Sequence, residues 1–160
     1  MIALPFTLAS CGGDDDENTP SKSEQTEYVV EKDPDDTVVL NLPVDGNDQS
    51  GYYTLSGSLI IKVDGAGNLI SYWNDDEFAS VGFVSGISKI TEVPTTGWAN
   101  KTAVVAGNGF VIRNKYSQGT YPSYSYYYEY YRLYVVSFNG SIATVKYAKL
   151  NVPDTPVPSY

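Results

Sequence analysis

Residues 124–150 constrain the fold more than any other stretch. Residues 124–138 run as tyrosine, valine, leucine and phenylalanine, interrupted only by Ser125, Glu129, Arg132 and Ser137. Asn139-Gly140 follows, and then a second β-prone run, residues 141–150. Aromatic and β-branched side chains suit a pleated, half-buried surface. Asn-Gly supplies two residues that tolerate positive φ, as a type I′ hairpin turn requires. The pattern predicts two long strands paired antiparallel across a tight turn.

The upstream chain repeats this logic in shorter pieces. Residues 37–42, 52–55 and 58–63 read as strands separated by glycine-bearing turns. Asp64-Gly65-Ala66-Gly67-Asn68 reads as a hairpin loop returning through Leu69-Ile70-Ser71-Tyr72-Trp73. Polar residues 74–77 lead to strands at 78–84 and 86–90, and the turn at Pro94-Thr95-Thr96-Gly97 leads to Trp98, an expected apolar anchor. Residues 101–105 and 110–114 form a further pair around Ala106-Gly107-Asn108-Gly109. No stretch sustains a 3.6-residue apolar period, and none offers 18 apolar residues in a row. Fifteen tyrosines and fourteen glycines, against one methionine and no histidine, agree with strands and turns. The expected fold is all-β: an antiparallel sandwich or small barrel over residues 37–150. Residues 151–160 carry Pro153, Pro156 and Pro158, cannot continue a central strand, and are expected to be an extended tail.

The net charge of −9 is concentrated at one end: residues 1–36 carry −8 and residues 37–160 only −1. Neither part has the basic stripe that nucleic acid requires, so no nucleic-acid partner is expected. Cys11, the single cysteine, follows a short apolar run closing in Leu8-Ala9-Ser10. That order matches a bacterial lipobox, with Leu8 three residues before a cysteine that becomes lipidated. Residues 1–11 are therefore expected to be the end of a lipoprotein signal whose start lies upstream of Met1; the bland alternative is an incidental cysteine. Residues 12–36 are too polar to offset ordering entropy and read as an acidic, disordered tether of about 25–30 Å. Intact mass of membrane-extracted protein checks the anchor. Acyl mass on a chain beginning at Cys11 is expected; a chain that keeps residues 1–10 without acyl mass would refute it.

Cys11-Gly12-Gly13-Asp14-Asp15-Asp16-Glu17 resembles the acidic export signal behind the lipidated cysteine of Bacteroidota surface lipoproteins. The body is similar to a family of β-rich gut Bacteroidota lipoproteins without an established activity. That likeness covers about residues 82–147 and includes Gly97-Trp98-Ala99, Gly107-Asn108-Gly109-Phe110-Val111 with Arg113, Tyr131-Arg132-Leu133-Tyr134-Val135 and Val145-Lys146-Tyr147. It implies a compact β domain anchored in the outer membrane and displayed at the cell surface, and it supplies no catalytic residue. The tyrosine-rich residues 117–130 depart from the family pattern. Asp36-Thr37-Val38 also resembles a Bacteroidota O-glycosylation acceptor.

Within residues 124–134, alternation places Tyr124, Tyr126, Tyr128, Tyr130, Arg132 and Tyr134 on one face, with Tyr127, Glu129, Tyr131 and Leu133 on the other. Each buried tyrosine hydroxyl needs a partner, so both faces cannot be plain core. One reading is a platform on which sugar rings stack, their hydroxyls bonding to Glu129 or Arg132. The other is cross-strand aromatic packing. Asp45-Gly46-Asn47-Asp48-Gln49-Ser50 and Asn74-Asp75-Asp76-Glu77 gather oxygen donors of the kind calcium takes, but neither has EF-hand spacing and Asx-rich turns account for both. No metal or other cofactor is therefore expected. Gly107-x-Gly109 reads as a tight turn or bulge, and Arg113 and Arg132 as partners of Glu129 or Glu92 or as simple caps on the sheet's surface. With no histidine and no usable cysteine, catalysis would rest on Asp75, Asp76, Glu77 or Glu129; a binding module is the expectation, not an enzyme. Its ligand would be an extracellular glycan, or alternatively a protein partner within an envelope complex.

Overall fold

The computed structural model describes residues 32–33, 37–45, 51–57 and 59–158. Among them the chain forms β1 (Lys32–Asp33), β2 (Thr37–Asp45), β3 (Tyr53–Ser56), β4 (Leu59–Asp64), β5 (Asn68–Ser71), β6 (Glu77–Phe83), β7 (Lys101–Ala103), β8 (Asn108–Thr120), β9 (Ser123–Phe138), β10 (Ile142–Lys149) and β11 (Thr155–Pro156). A 3-10 turn at Ile87–Lys89 lies between β6 and β7. The fold is all-β, as the sequence pattern predicts.

The expected hairpin is present: β9 and β10 pair antiparallel from Ala143 opposite Phe138 to Lys149 opposite Tyr131. Asn139 builds its turn, accepting from the backbone N–H groups of Ser141 (2.9 Å) and Ile142 (2.8 Å) through Oδ1. Gly140 takes φ 84°, which glycine adopts without a steric cost. The β4–β5 loop works similarly: Asp64 Oδ1 accepts from Ala66 N–H (2.9 Å) and Asn68 N–H (2.8 Å). Burial would raise the pKa of Asp64, but these bonds and the charge of Lys101 hold it below the ordinary value.

The strands follow the order β6-β8-β9-β10-β2-β4-β5-β7. The two ends of this path meet again, because Phe78 of β6 and Ala99, just before β7, exchange backbone hydrogen bonds of 2.7 and 3.0 Å. The result is a nearly closed, barrel-like sheet, and closure removes the exposed edges an open sheet would carry. The pairing is mixed, since β2 and β4 run parallel at Val44/Val63 and Asp45/Asp64. That follows from β3, which returns as a hairpin onto β4 and turns the chain back into the direction of β2.

Alternation then sorts the side chains. Tyr131, Leu133 and Val135 of β9 point inward with Phe110 and Ile112 of β8, Leu42, Leu59, Ile61, Val63, Leu69 and Phe78. The opposite face of β8 and β9 is also covered. Residues 84–98 cross it and set Ile87 and Ile90 against Val111, Tyr130, Ala148 and Leu150, with Trp98 and Tyr128 at the margin. Trp98 is an anchor, as expected. Gly107 turns at φ 84°, and Gly109 is buried where a Cβ would lie 2.7 Å from Ile90 Cδ1 and 2.8 Å from Val81 Cγ2. The glycine pair is thus a turn followed by a close approach, opposite a β6 irregularity between Ser80 and Gly82.

Two segments outside residues 37–150 also join the sheet. Lys32 and Asp33, inside the stretch read as a tether, pair with Val38 and Thr37 of β2. The proline-rich end is extended but not free: Thr155 and Pro156 pair with Tyr128 and Tyr127 of β9, and Val157 N–H bonds to the Tyr126 carbonyl at 2.9 Å. Proline is tolerated there because the segment is an edge strand.

Candidate functional site

β8 and β9 outrun the barrel. β6 stops pairing with β8 at Arg113, yet β8 and β9 remain paired out to Thr120 and Ser123. Residues 117–126 are exposed along this projecting ribbon, which turns at Tyr121-Pro122. The tyrosine-rich stretch is therefore partly barrel wall and partly arm.

This division separates the six residues expected to form one platform. Tyr124 and Tyr126 lie on the arm, 49 % and 51 % exposed. Tyr128 is half-buried with its ring centroid 4.7 Å from the guanidinium of Arg113. Tyr130 is buried, and its hydroxyl lies 2.5 Å from Thr155 Oγ1. Arg132 is half-buried, and its Nε has no hydrogen-bond partner. Glu129 faces the other way, accepting from Asn114 Nδ2 (2.8 Å) and Lys149 Nζ (3.1 Å). Of the tyrosines expected on that face, Tyr124 and Tyr126 are the ones left exposed as a platform would require. Tyr128, Tyr130 and Tyr134 are withdrawn from solvent because residues 84–98 pack over that face of β9. Tyr131 on the inner face packs in the core, and burial, its largest influence, pushes its hydroxyl up to about 12.

A residue absent from that expectation completes the exposed surface. After β5 the chain turns through Tyr72 and Trp73, 49 % and 51 % exposed. Ser71 Oγ accepts from Trp73 N–H (3.2 Å), and Asp76 N–H bonds to the Trp73 carbonyl (3.2 Å), so the turn is tied at both ends. Trp73 lines an open groove of about 420 Å³ with Asp75, Lys115, Tyr116, Ser117 and Tyr126. Past Tyr126 the surface continues into a hollow of about 460 Å³ that Tyr124, Tyr127 and Pro156 share. Past Trp73 it continues into one of about 230 Å³ bordered by Tyr52, Tyr72, Asn74 and Lys101. Tyr52, Tyr72 and Trp73 meet edge-to-face at 5.2 and 4.9 Å between ring centroids, an arrangement that favours aromatic pairs.

Polar groups sit between the aromatic walls. Lys115 Nζ lies 3.4 Å from Asp75 Oδ2 and 5.2 Å from the Tyr126 ring centroid. Tyr116 donates to Asp154 Oδ2 at 2.7 Å, and this bond pushes its hydroxyl up to about 12. Beneath them Asp76 is 1 % exposed. Burial raises its carboxyl to about 6, with Asp75 and Glu129 adding to the rise and the bonds from Ser71 and Lys115 opposing it. Since that lies above the ordinary 3.8, the group's contribution to stability is complete below about pH 4 and is lost as the pH climbs through 6.

Other expected chemistry separates in space. Asp75 turns to Lys115, Asp76 to Ser71, and Glu77 to Arg113, whose Nε lies 2.6 Å from Glu77 Oε2. Among the described residues no three His, Cys, Asp or Glu gather as metal ligands would. Arg113 therefore pairs with Glu77, not Glu129 or Glu92, and its guanidinium lies 4.5 Å from the Trp98 ring centroid as well as against Tyr128. Thr37 is fully buried, which removes its hydroxyl from any glycosyl donor and corrects the acceptor reading of Asp36-Thr37-Val38. Cys11, Asp36 and residues 46–50 lie outside the described residues. Comparison with known proteins returns no matching family, no matching curated protein and no matching solved structure.

Proposed function

We propose that the protein is a non-catalytic lipoprotein of the outer membrane, displayed at the cell surface, that binds extracellular glycan in the groove between Trp73 and Tyr126. One observation carries this reading. Exposed aromatic rings follow one another from Tyr72 and Trp73 across the groove to Tyr126 and Tyr124, with the Asp75–Lys115 pair set between the walls. Sugar rings have apolar C–H faces that lie flat on aromatic side chains, and hydroxyls that take hydrogen bonds at their edges. A concave surface with aromatic lining and a few placed polar groups suits such a ligand. Asp75 and Lys115 offset each other, so neutral sugars are favoured over strongly charged ones. The anchor belongs to Cys11 and rests on the sequence motif and the acidic segment after it.

Screening the full-length protein on an array of neutral and acidic glycans tests the ligand class. Binding concentrated on neutral glycans is expected, with loss in Tyr126→Ala. Equal retention by that variant would refute the groove. The runner-up reading, a protein partner in an envelope complex, draws on a different observation. Beyond Arg113 no described strand pairs with the outer edge of β8, and an open edge can accept a strand from another chain.

A further inference from the structure

Asp76 lies beneath the groove, too buried for a ligand to touch, yet it joins the groove's two walls. Its Oδ2 sits 2.5 Å from Ser71 Oγ, and its Oδ1 accepts a long bond, 3.4 Å, from Lys115 N–H of β8. Ser71 Oγ also accepts from Trp73 N–H and lies 3.1 Å from the Ile60 carbonyl oxygen of β4. A serine hydroxyl has one hydrogen to give. When Asp76 is ionised, that hydrogen serves either the carboxylate or the carbonyl, and the other close contact has no proton. When Asp76 is protonated, its O–H donates to Ser71 Oγ and the Ser71 O–H is free to donate to Ile60. Both contacts are then hydrogen bonds.

We infer that Asp76 is a positioning residue of the groove: its protonation completes a hydrogen-bond chain from β8 through Ser71 to β4 and fixes the turn that carries Trp73. The functional consequence, firmer ligand binding in mild acid, rests on the glycan reading above; the structural consequence does not. The charged groups around Asp76 act in the same direction. Asp75 on its own turn and Glu129 on β9 are both negative and disfavour its ionised form. The neighbouring cations are engaged elsewhere: Lys115 of β8 with Asp75, Arg113 of β8 with Glu77 of β6, and Lys149 of β10 with Glu129.

The test needs no ligand. Trp73 and Trp98 are the only tryptophans, so in full-length Trp98→Phe the indole emission reports Trp73 alone. Its emission is expected to titrate with a midpoint near pH 6, and the titration should vanish when Asp76→Asn is added. The amide of that variant can donate to Ser71 at every pH, which imitates the protonated acid. Circular dichroism should stay constant across the range, placing the change in the turn rather than the fold. If Trp98→Phe does not fold, the difference between unaltered protein and Asp76→Asn carries the same signal. A flat Trp73 titration, or one that persists in Asp76→Asn, would overturn the inference. Failure to find a bound glycan would instead count against the glycan reading and leave this result standing.

Discussion

Trp73→Ala is expected to weaken glycan binding by about 10- to 30-fold, equivalent to about 1.4–2 kcal/mol. The indole is half exposed in the free protein, so its outer face is available for stacking, and it has no counterpart on its wall of the groove except the smaller Tyr72. Truncation leaves the opposite wall, Tyr126 and Lys115, intact. The loss should therefore appear mainly as faster dissociation, since contacts made after encounter set the off-rate. Stability should change little, because Trp73 lies outside both buried clusters. Titration with the best array ligand and a thermal melt together check both statements.

Phe110→Ala is expected to do the reverse, leaving the groove's chemistry untouched and destabilising the barrel by about 3–5 kcal/mol. Phe110 is 1 % exposed on the inward face of β8, directly opposite Leu133 of β9 and Ser80 of β6. It is among the largest fully buried side chains, and the closed sheet around it has little freedom to collapse into the space left behind. Domains of this size hold about 5–15 kcal/mol in total, so the variant should melt about 10–20 °C lower and populate unfolded chains at growth temperature. A denaturant series gives the value directly. A loss below about 1 kcal/mol would mean that the inner face of β8 is not the core of the fold.

What was legible in the sequence was local. Asn139-Gly140 between two β-prone runs, and Asp64 ahead of Gly67-Asn68, carry their turns in their own side chains, and both hairpins form where those residues stand. Alternation along β9 also separated an inner from an outer face correctly. It could not say what covers the outer face. The segment that buries Tyr130 comes from residues 84–98, some forty positions upstream, and its apolar residues follow no regular period. Barrel closure through Phe78 and Ala99, and the parallel contact of β2 with β4, are likewise long-range events without a sequence signature. The groove was missed for the same reason. Trp73 sits in the turn after β5 and Tyr126 on β9, two strands that do not pair, and the one local hint was an aromatic pair at a strand end running straight into Asn74-Asp75-Asp76-Glu77. Those acids read as an Asx-rich turn; in the fold Asp75 and Glu77 each pair with a base, while Asp76 is buried beneath the groove.

The most direct test of a glycan site at Trp73 is a fluorescence titration of full-length Trp98→Phe with the strongest neutral glycan from the array. A saturable change in Trp73 emission is predicted, with a midpoint matching the independently measured Kd and weakened by Tyr126→Ala. Saturation of the glycan with no change in Trp73 emission would place the ligand elsewhere and contradict the account.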